Sequence, residues 1–423
     1  MRILIYDINY SPELTGVGKY TGEMGAWLAR QGHTVRVITA MPYYPEWAVH
    51  KSYKGKLWMT EQIEGATVHR SPFYVPKKVS TIKRILHETS FVVSSLPFWM
   101  RVLFGKSNDV VICVSPPFQA GLLPALYSKI RQVPLWYHLQ DLQVDMAKEL
   151  GMIKNPSFLK LLFNVETFIL KQCTVVSTIS EGMMRKINAK KGLQAPCHLF
   201  PNWVDETVIR PLPREASLRD ELGLSSQDKV VLYAGSLGEK QGLELIIETA
   251  KHFVGRPEVR FLIVGSGGEK NRLEELAHEA GLTNVTFHLL MPYEKLSALL
   301  ATADVHLVLQ KKSASDLVFP SKLTGILAAG GCALVSATPG TTLYEMVSSY
   351  QMGIIIEPES VTSLIDGIEQ GLDQNVAHYR ENARRYAQRY LSKETILRQF
   401  EADLFRIRVP MLSSSPESVN VRD

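Results

Sequence analysis

Short apolar runs alternate with amphipathic stretches along most of the chain. Arg2 to Asn9 (RILIYDIN) predicts a buried strand, since a brief apolar run bounded by turn residues suits a strand covered on both faces. Lys19–Arg30 sets Tyr20, Met24, Trp27 and Leu28 on one face at helical spacing; Gly32 ends that helix, and Val35–Thr39 forms the next strand. The alternation returns at Val110–Val114, Val133–His138 and Thr174–Ile179, with helices over Phe158–Cys173 and Gly182–Lys191. It restarts at Lys229–Gly235 and runs through Arg260–Val264, Asn284–Leu289, Val305–Leu309, Ala333–Val335 and Ile354–Ile356. Alternating strands and helices predict an α/β fold with parallel sheets. The restart predicts two domains, 1–210 and 211–390, joined through 202–213. Final helices near 376–407 would include one, 391–410, that packs back on the first domain, before a disordered tail at 411–423. Residues 41–75 predict a long loop and an edge strand.

Ligands of open parallel sheets bind at the carboxyl ends of the strands, so the loops there hold the candidate chemistry. Gly16, Gly18 and Gly22 follow the first strand, where glycine lets a backbone come close to a ligand. Their spacing is GxGxxxG, and the second strand ends in Ala40-Met41 instead of an acidic residue, so a dinucleotide site is not expected. Glu13 and Lys19 flank this turn and are acceptor-side candidates. His138 ends one strand and Asp141 follows it, which makes both catalytic candidates. In the second half, glycine-bearing loops at 235–242 and 265–268 and the loop at 316–322 all lie between a strand and a helix and would converge on one crevice. Gly235, Ser236, Lys240, Gly265 and Gly267 belong to the first two. In the third, Asp316 precedes a helix expected to start at Pro320, with Ser321 and Lys322 in its first turn. Backbone N–H groups and two lysines would suit a phosphate-bearing ligand.

The chain has 423 residues, 45% hydrophobic and 21% charged, a globular composition long enough for two domains. Its net charge of +5 hides an asymmetry: residues 1–210 hold 25 Lys/Arg against 15 Asp/Glu, the remainder 22 against 27. The basic half suits an anionic substrate or an acidic membrane surface. Within it, Lys77, Lys78, Lys83, Arg84, Arg101 and Lys106 bracket the apolar run Phe91–Phe104, so residues 77–106 are expected to contact a membrane interface, the alternative being a core helix. No nucleic-acid partner is expected. Four scattered cysteines predict reduced thiols and a cytoplasmic setting, and Met1-Arg2 running into ILIY gives no expected secretory leader. No GxxxxGK[ST], GxSxG, HExxH or Asp-x-Asp occurs, so no metal or other cofactor is expected.

The stretches NYSPELTGVGKYTGEM, RVITAMPYYPEW, HLQDLQVDM, STISEGMM, FPNWVDE, GSLGEKQGLE, VGSGG and PSKLTGILAAGG, in this order, resemble the retaining GT-B glycosyltransferases of the family-4 type, in the branch of the colanic-acid fucosyltransferases. The resemblance covers about residues 1–405. It implies two Rossmann-like domains about a cleft, the first for the acceptor and the second for a nucleotide sugar, GDP-fucose as first choice and a UDP-sugar as an alternative. The acceptor would be a lipid-diphosphate-linked saccharide, and the enzyme would be peripheral on the inner face of the cytoplasmic membrane. Carried over by motif, Gly16 and Gly18 approach donor diphosphate and acceptor, and His138 faces the transferred sugar. Lys240 takes the place of the family's phosphate-binding residues, Gly265 and Gly267 approach the nucleoside, and Ser321 and Lys322 meet the distal phosphate or sugar. The chain departs from the pattern at Ser236, where an Arg is usual, at Gln241, where a Lys is usual, and at Gly325, where a ribose-binding Glu is usual; Asp316 stands beside the sugar-binding Glu position. An epimerase of the same fold and a silent sugar-nucleotide-binding scaffold are the other readings.

Overall fold

A computed structural model of the chain describes residues 1–13, 16–78, 80–149, 151–190, 193–314 and 319–412. The first half carries β1 (Arg2–Tyr6), α1 (Gly16–Arg30), β2 (Thr34–Ala40), β3 (Met59–Ile63), β4 (Ala66–Ser71), α2 (Thr81–Ser94), α3 (Leu96–Phe104) and β5 (Val110–Ser115). It continues with α4 (Leu122–Arg131), β6 (Leu135–Leu139), α5 (Gln143–Glu149), α6 (Pro156–Gln172), β7 (Val175–Thr178), α7 (Glu181–Asn188) and β8 (Cys197–Leu199). The eight strands form one sheet in the order β3-β4-β2-β1-β5-β6-β7-β8, parallel except where β3 pairs antiparallel with β4. The strand expected at the edge, β4, is therefore flanked by β2 and by a strand the alternation did not reveal, and β3 takes the edge.

The second half restarts with β9 (Lys229–Ser236), α8 (Glu244–His252), β10 (Val259–Ser266), α9 (Lys270–Glu279), β11 (Val285–His288), α10 (Leu296–Thr302) and β12 (Val305–Val308). Then come α11 (Lys322–Ala328), β13 (Ala333–Ser336), α12 (Thr342–Tyr350), β14 (Gly353–Ile356), α13 (Val361–Asp373) and α14 (Ala377–Tyr390). Its sheet is all parallel, β11-β10-β9-β12-β13-β14. Both sheets are doubly wound. In the first, Phe91, Trp99, Tyr127 and Ile169 of α2, α3, α4 and α6 pack on one face. Met24 and Trp27 of α1 pack on the other.

The chain crosses between the halves twice. Val204 of the first crossing bonds the second: its N–H donates to the Leu391 carbonyl (2.9 Å), and its own carbonyl accepts from Lys393 N (3.1 Å). The last helix, α15 (Lys393–Leu412), then lies on the first half. Phe400 stacks on Phe200 at 4.3 Å and meets Trp136 edge-on at 4.9 Å, the Trp27 indole donates to Glu394 (2.8 Å), and His33 pairs with Glu401 (2.7 Å). The helix runs past residue 410, and residues 413–423 of the expected tail lie outside the described residues. Phe400→Ala should lower stability by roughly 3 kcal/mol, the cost of an emptied aromatic site, read by chemical denaturation; an unchanged midpoint would place α15 off the first half.

Candidate active site

Each sheet has a switch point where neighbouring strands are continued in opposite directions, and such points open a crevice at the strand ends. In the first sheet it lies between β1 and β5, in the second between β9 and β12. The two crevices face each other across a cleft of about 1200 Å³. Ile8, Asn9, Pro116 and Pro117 line it from one side, and Gly235, Ser236, Gln310 and Lys311 from the other.

Lys322 is the most unusual group in the second wall. Its ammonium is buried 3.3 Å from the centre of the Tyr233 ring and has no hydrogen-bond partner. Gly235, at φ 144°, makes the room: a Cβ there would stand 3.3 Å from Nζ, in a backbone conformation that L side chains rarely adopt. Burial first, and then the charge of Lys240, push the Lys322 pKa well below that of an ordinary lysine. Five more cleft-lining groups are buried without partners, His87 Nε2, Asn202 Oδ1, Gln241 Oε1, Gln310 Oε1 and the Tyr293 hydroxyl. Buried polar groups are normally paired, so six orphans on one cleft mark a place built for a polar ligand, one with hydroxyl donors for the amide oxygens and an anion for Lys322.

The first wall offers Asn9, Gly16, Lys19, Tyr44, Arg84, Gln140 and Asp141. Lys19 lies 3.5 Å from Glu23 and 5.3 Å from the Tyr293 ring of the opposite half. Burial raises the Tyr44 pKa and Ser236 of the opposite half pulls it back, so these two side chains also approach across the cleft. Burial raises the Asp141 pKa, while Lys240 and Arg84 pull it back. Lys240, Pro320 and Ser321 also line the cleft.

Several expected site residues are placed elsewhere. Helix α1 begins at Gly16, so Gly18 lies inside it, and what comes close to Gly18 is the chain itself: a Cβ there would meet Glu13 Oε2 at 2.6 Å. Glu13 is buried and staples the loop instead of facing a sugar, accepting from Tyr43 N (2.9 Å), Tyr44 N (3.0 Å) and Asn9 Nδ2 (2.8 Å). Gly265 and Gly267 pack against the chain's own backbone: a Cβ would fall 1.9 Å from the Gly235 carbonyl oxygen and 2.2 Å from that of Leu237. They shape the 235–237 loop from behind. Pro320 precedes α11 rather than opening it, since the first turn closes from Leu323 N to its carbonyl. Asp316 lies outside the described residues.

His138 is also behind the cleft. Only 4% exposed, it bonds Ser177 Oγ through Nδ1 (2.9 Å) and Gln140 through Nε2 (3.1 Å), and its ring meets Phe200 edge-on. Burial pushes its pKa down to about 3, so it is a neutral imidazole. The side chain that lines the cleft is Gln140, two residues on.

The family description "Glycosyl transferases group 1" matches residues 215–390, and "Glycosyl transferase 4-like domain" matches residues 15–203. A protein of Escherichia coli (strain K12), named as the colanic acid biosynthesis glycosyl transferase WcaI, is 44% identical over 411 residues, covering 96% of this chain and 100% of its own. The chain belongs to the group-1, family-4-like glycosyltransferases. Solved structures agree on the GT-B fold. Sucrose-phosphate synthase from Thermosynechococcus elongatus superposes with a TM-score of 0.75 at 18% identity, covering 98% of this chain and 100% of that one. Anabaena HepE in complex with UDP and glucose gives 0.70 at 18% identity, covering 96% and 100%.

In this glycosyltransferase, Tyr44, Arg84, Gln140, Tyr293 and Gln310 are the cleft residues that motif reading missed. None stands at a glycine turn, and only Gln140 and Gln310 had a signal, each following the end of a predicted strand. Lys322→Met should raise the stability of the ligand-free glycosyltransferase by about 1 kcal/mol or more, because it removes a buried amine that has neither a hydrogen-bond partner nor a counter-charge. The same change should abolish stabilisation by nucleoside diphosphates. Thermal denaturation with and without nucleotide reads both, and a less stable variant that still responds to nucleotide would contradict the site.

Proposed function

We propose that the cleft binds a nucleotide sugar by its diphosphate and transfers the sugar with retention to a saccharide carried on a lipid diphosphate. The observation that carries this reading is the buried, unpartnered ammonium of Lys322 facing Lys240. Two lysines in one pocket disfavour each other unless an anion stands between them. In transfer the C1–O bond to the diphosphate breaks as the acceptor oxygen bonds C1 from the same face. The hydroxyl proton passes to the leaving phosphate oxygen. Lys240 and Lys322 meet the charge that develops there, where a water-poor cleft makes each worth most. Gln140 and Asp141 orient sugar hydroxyls, and His138 holds Gln140 from behind.

The donor we favour is GDP-fucose, on the strength of the motif resemblance; UDP-sugars are the competing choice, UDP being the nucleotide held by Anabaena HepE. The name of the Escherichia coli relative supports a place in exopolysaccharide assembly of the colanic-acid kind, and in this reading the enzyme works at the inner face of the cytoplasmic membrane. No metal has a part in this reading.

Thermal stabilisation across GDP, GDP-fucose, UDP, UDP-glucose and NAD is the first test, since a ligand of the folded state raises the melting temperature by mass action. A shift with GDP and GDP-fucose alone is expected; a shift with UDP alone would replace the donor, and no shift would favour the scaffold reading. Transfer to a lipid-diphosphate saccharide should persist in EDTA. Release of free sugar without an acceptor would favour the epimerase. Gln140→Leu should keep donor affinity and lower kcat by about 100-fold, the scale of a lost transition-state contact. An unchanged kcat would remove Gln140 from the reaction.

A further inference from the structure

The helices that cover the outer side of the first sheet leave an apolar surface uncovered. Helices α2 and α3 each bury one stripe in the core, Phe91 on α2 and Phe98, Trp99 and Val102 on α3. Their opposite stripes face out: Ile82 is 80% exposed and Phe104 78%, with Leu86, Val93 and Met100 exposed between them. Helix α3 packs on α4 and α4 on α6, so the exposed Leu126, Ile130 and Phe168 extend the same layer. Trp58 adds a half-exposed indole at the α2–α3 corner, its N–H satisfied by the Ser94 carbonyl (2.7 Å). Scattered single apolar residues need no explanation, but a continuous layer across several helices marks a docking surface.

The charge around this layer says what docks. Residues 76–140 contain eight Lys/Arg and two acidic residues. Of the two acids, Glu88 is buried and bonded to Arg84, Gln119 and Gln143, and Asp109 accepts the Arg2 backbone N–H. Lys77, Lys78, Lys83, Arg101, Lys106 and Lys129 are all exposed. An apolar layer ringed by cations, with no exposed acid within residues 76–140, fits the headgroup region of an anionic bilayer, where each Lys or Arg near the surface contributes about 1 kcal/mol. Among the described residues no helix is long and apolar enough to cross a membrane, so the contact would be peripheral.

We propose that the outer face of α2, α3, α4 and α6 docks on an anionic lipid bilayer and that α2 is the rail between bilayer and cleft. The inner edge of α2 carries Thr81, Arg84 and His87, which line the cleft, while Ile82 and Leu86 one turn around face outward. An acceptor with a lipid tail thus keeps its tail in the bilayer while its anionic head reaches Arg84 and its saccharide enters the cleft. This last step rests on the lipid-linked acceptor proposed above; the docking itself does not.

Co-sedimentation of the full chain with vesicles tests it. Binding is expected to phosphatidylcholine vesicles containing phosphatidylglycerol, not to phosphatidylcholine alone, and should weaken in high salt as surface charge is screened. Ile82→Glu combined with Phe104→Glu should lower the bound fraction about tenfold or more and leave the nucleotide-dependent thermal shift unchanged, which shows the variant folded. No binding to anionic vesicles, or binding indifferent to the two substitutions, would overturn the proposal. So would a concentration-dependent dimer lost in the double variant without vesicle binding, which would give the face to a second copy. Vesicle binding by a protein that shifts with no nucleotide would instead sink the donor reading and leave the docking face standing.

Discussion

An amine taken out of water without a counter-charge costs several kcal/mol in whichever protonation state it adopts. Lys322 is such an amine, and much of the second half serves to hold it there. Gly235 withholds a Cβ so that the side chain can pass. Gly265 and Gly267 let the neighbouring strand close on the loop of Gly235 to Leu237, fixing the path of that backbone. Tyr233 gives the ammonium a ring face and donates its own hydroxyl to the Ser236 carbonyl, so the aromatic wall is itself tied down. The deficit that remains is one an anionic ligand would remove. Strain kept at a site and relieved on binding turns stability of the folded protein into affinity.

The opposite wall is built by different means. Glu13 fastens the Tyr43–Tyr44 turn to the start of α1, which brings Tyr44 to Ser236 across the cleft. Beneath it, the Trp136 indole donates to Ser177 Oγ (2.7 Å), Ser177 meets His138, and His138 meets Gln140. Phe200 and Phe400 close the lower side of that chain of bonds. Since Phe400 belongs to α15, the last helix takes part in positioning a cleft residue on the far side of the sheet. Hinge closure between halves is the usual way such clefts exclude water, and the paired crossings at Val204 and Ser392 are where it would bend.

The fold was legible because strand–helix alternation is a local signal, and it restarts at Lys229 after the polar and proline-bearing 202–213 stretch. Strand β3 was not, because MTEQI lies on an edge with one face toward solvent and reads like loop. In the site, Lys322, Lys240 and Asp141 were found since strand ends and glycine turns point to them. His138 and Gln140 could not be separated that way: both follow one strand, and which turns to the cleft depends on Phe200 and Ser177, distant in sequence. Glycine carries the same ambiguity. Gly235 makes room for a side chain in the cleft, while Gly18, Gly265 and Gly267 make room for the chain's own backbone or a buried carboxylate, and the sequence signal is identical. The run 91–104 suits either membrane contact or a core, and the structure divides it, one stripe buried and the other exposed.

The central claim is that a nucleotide diphosphate supplies the counter-charge Lys322 lacks. Binding of an anion favours the charged amine, so its pKa must rise on binding and a proton must be taken up at any pH between the depressed and the raised value. Calorimetric titration of GDP into the protein, repeated in buffers of different ionisation enthalpy, measures that uptake. The account predicts proton uptake in the native chain that disappears in Lys322→Met. Nucleotide binding with no proton uptake, or with uptake unchanged by Lys322→Met, would contradict it.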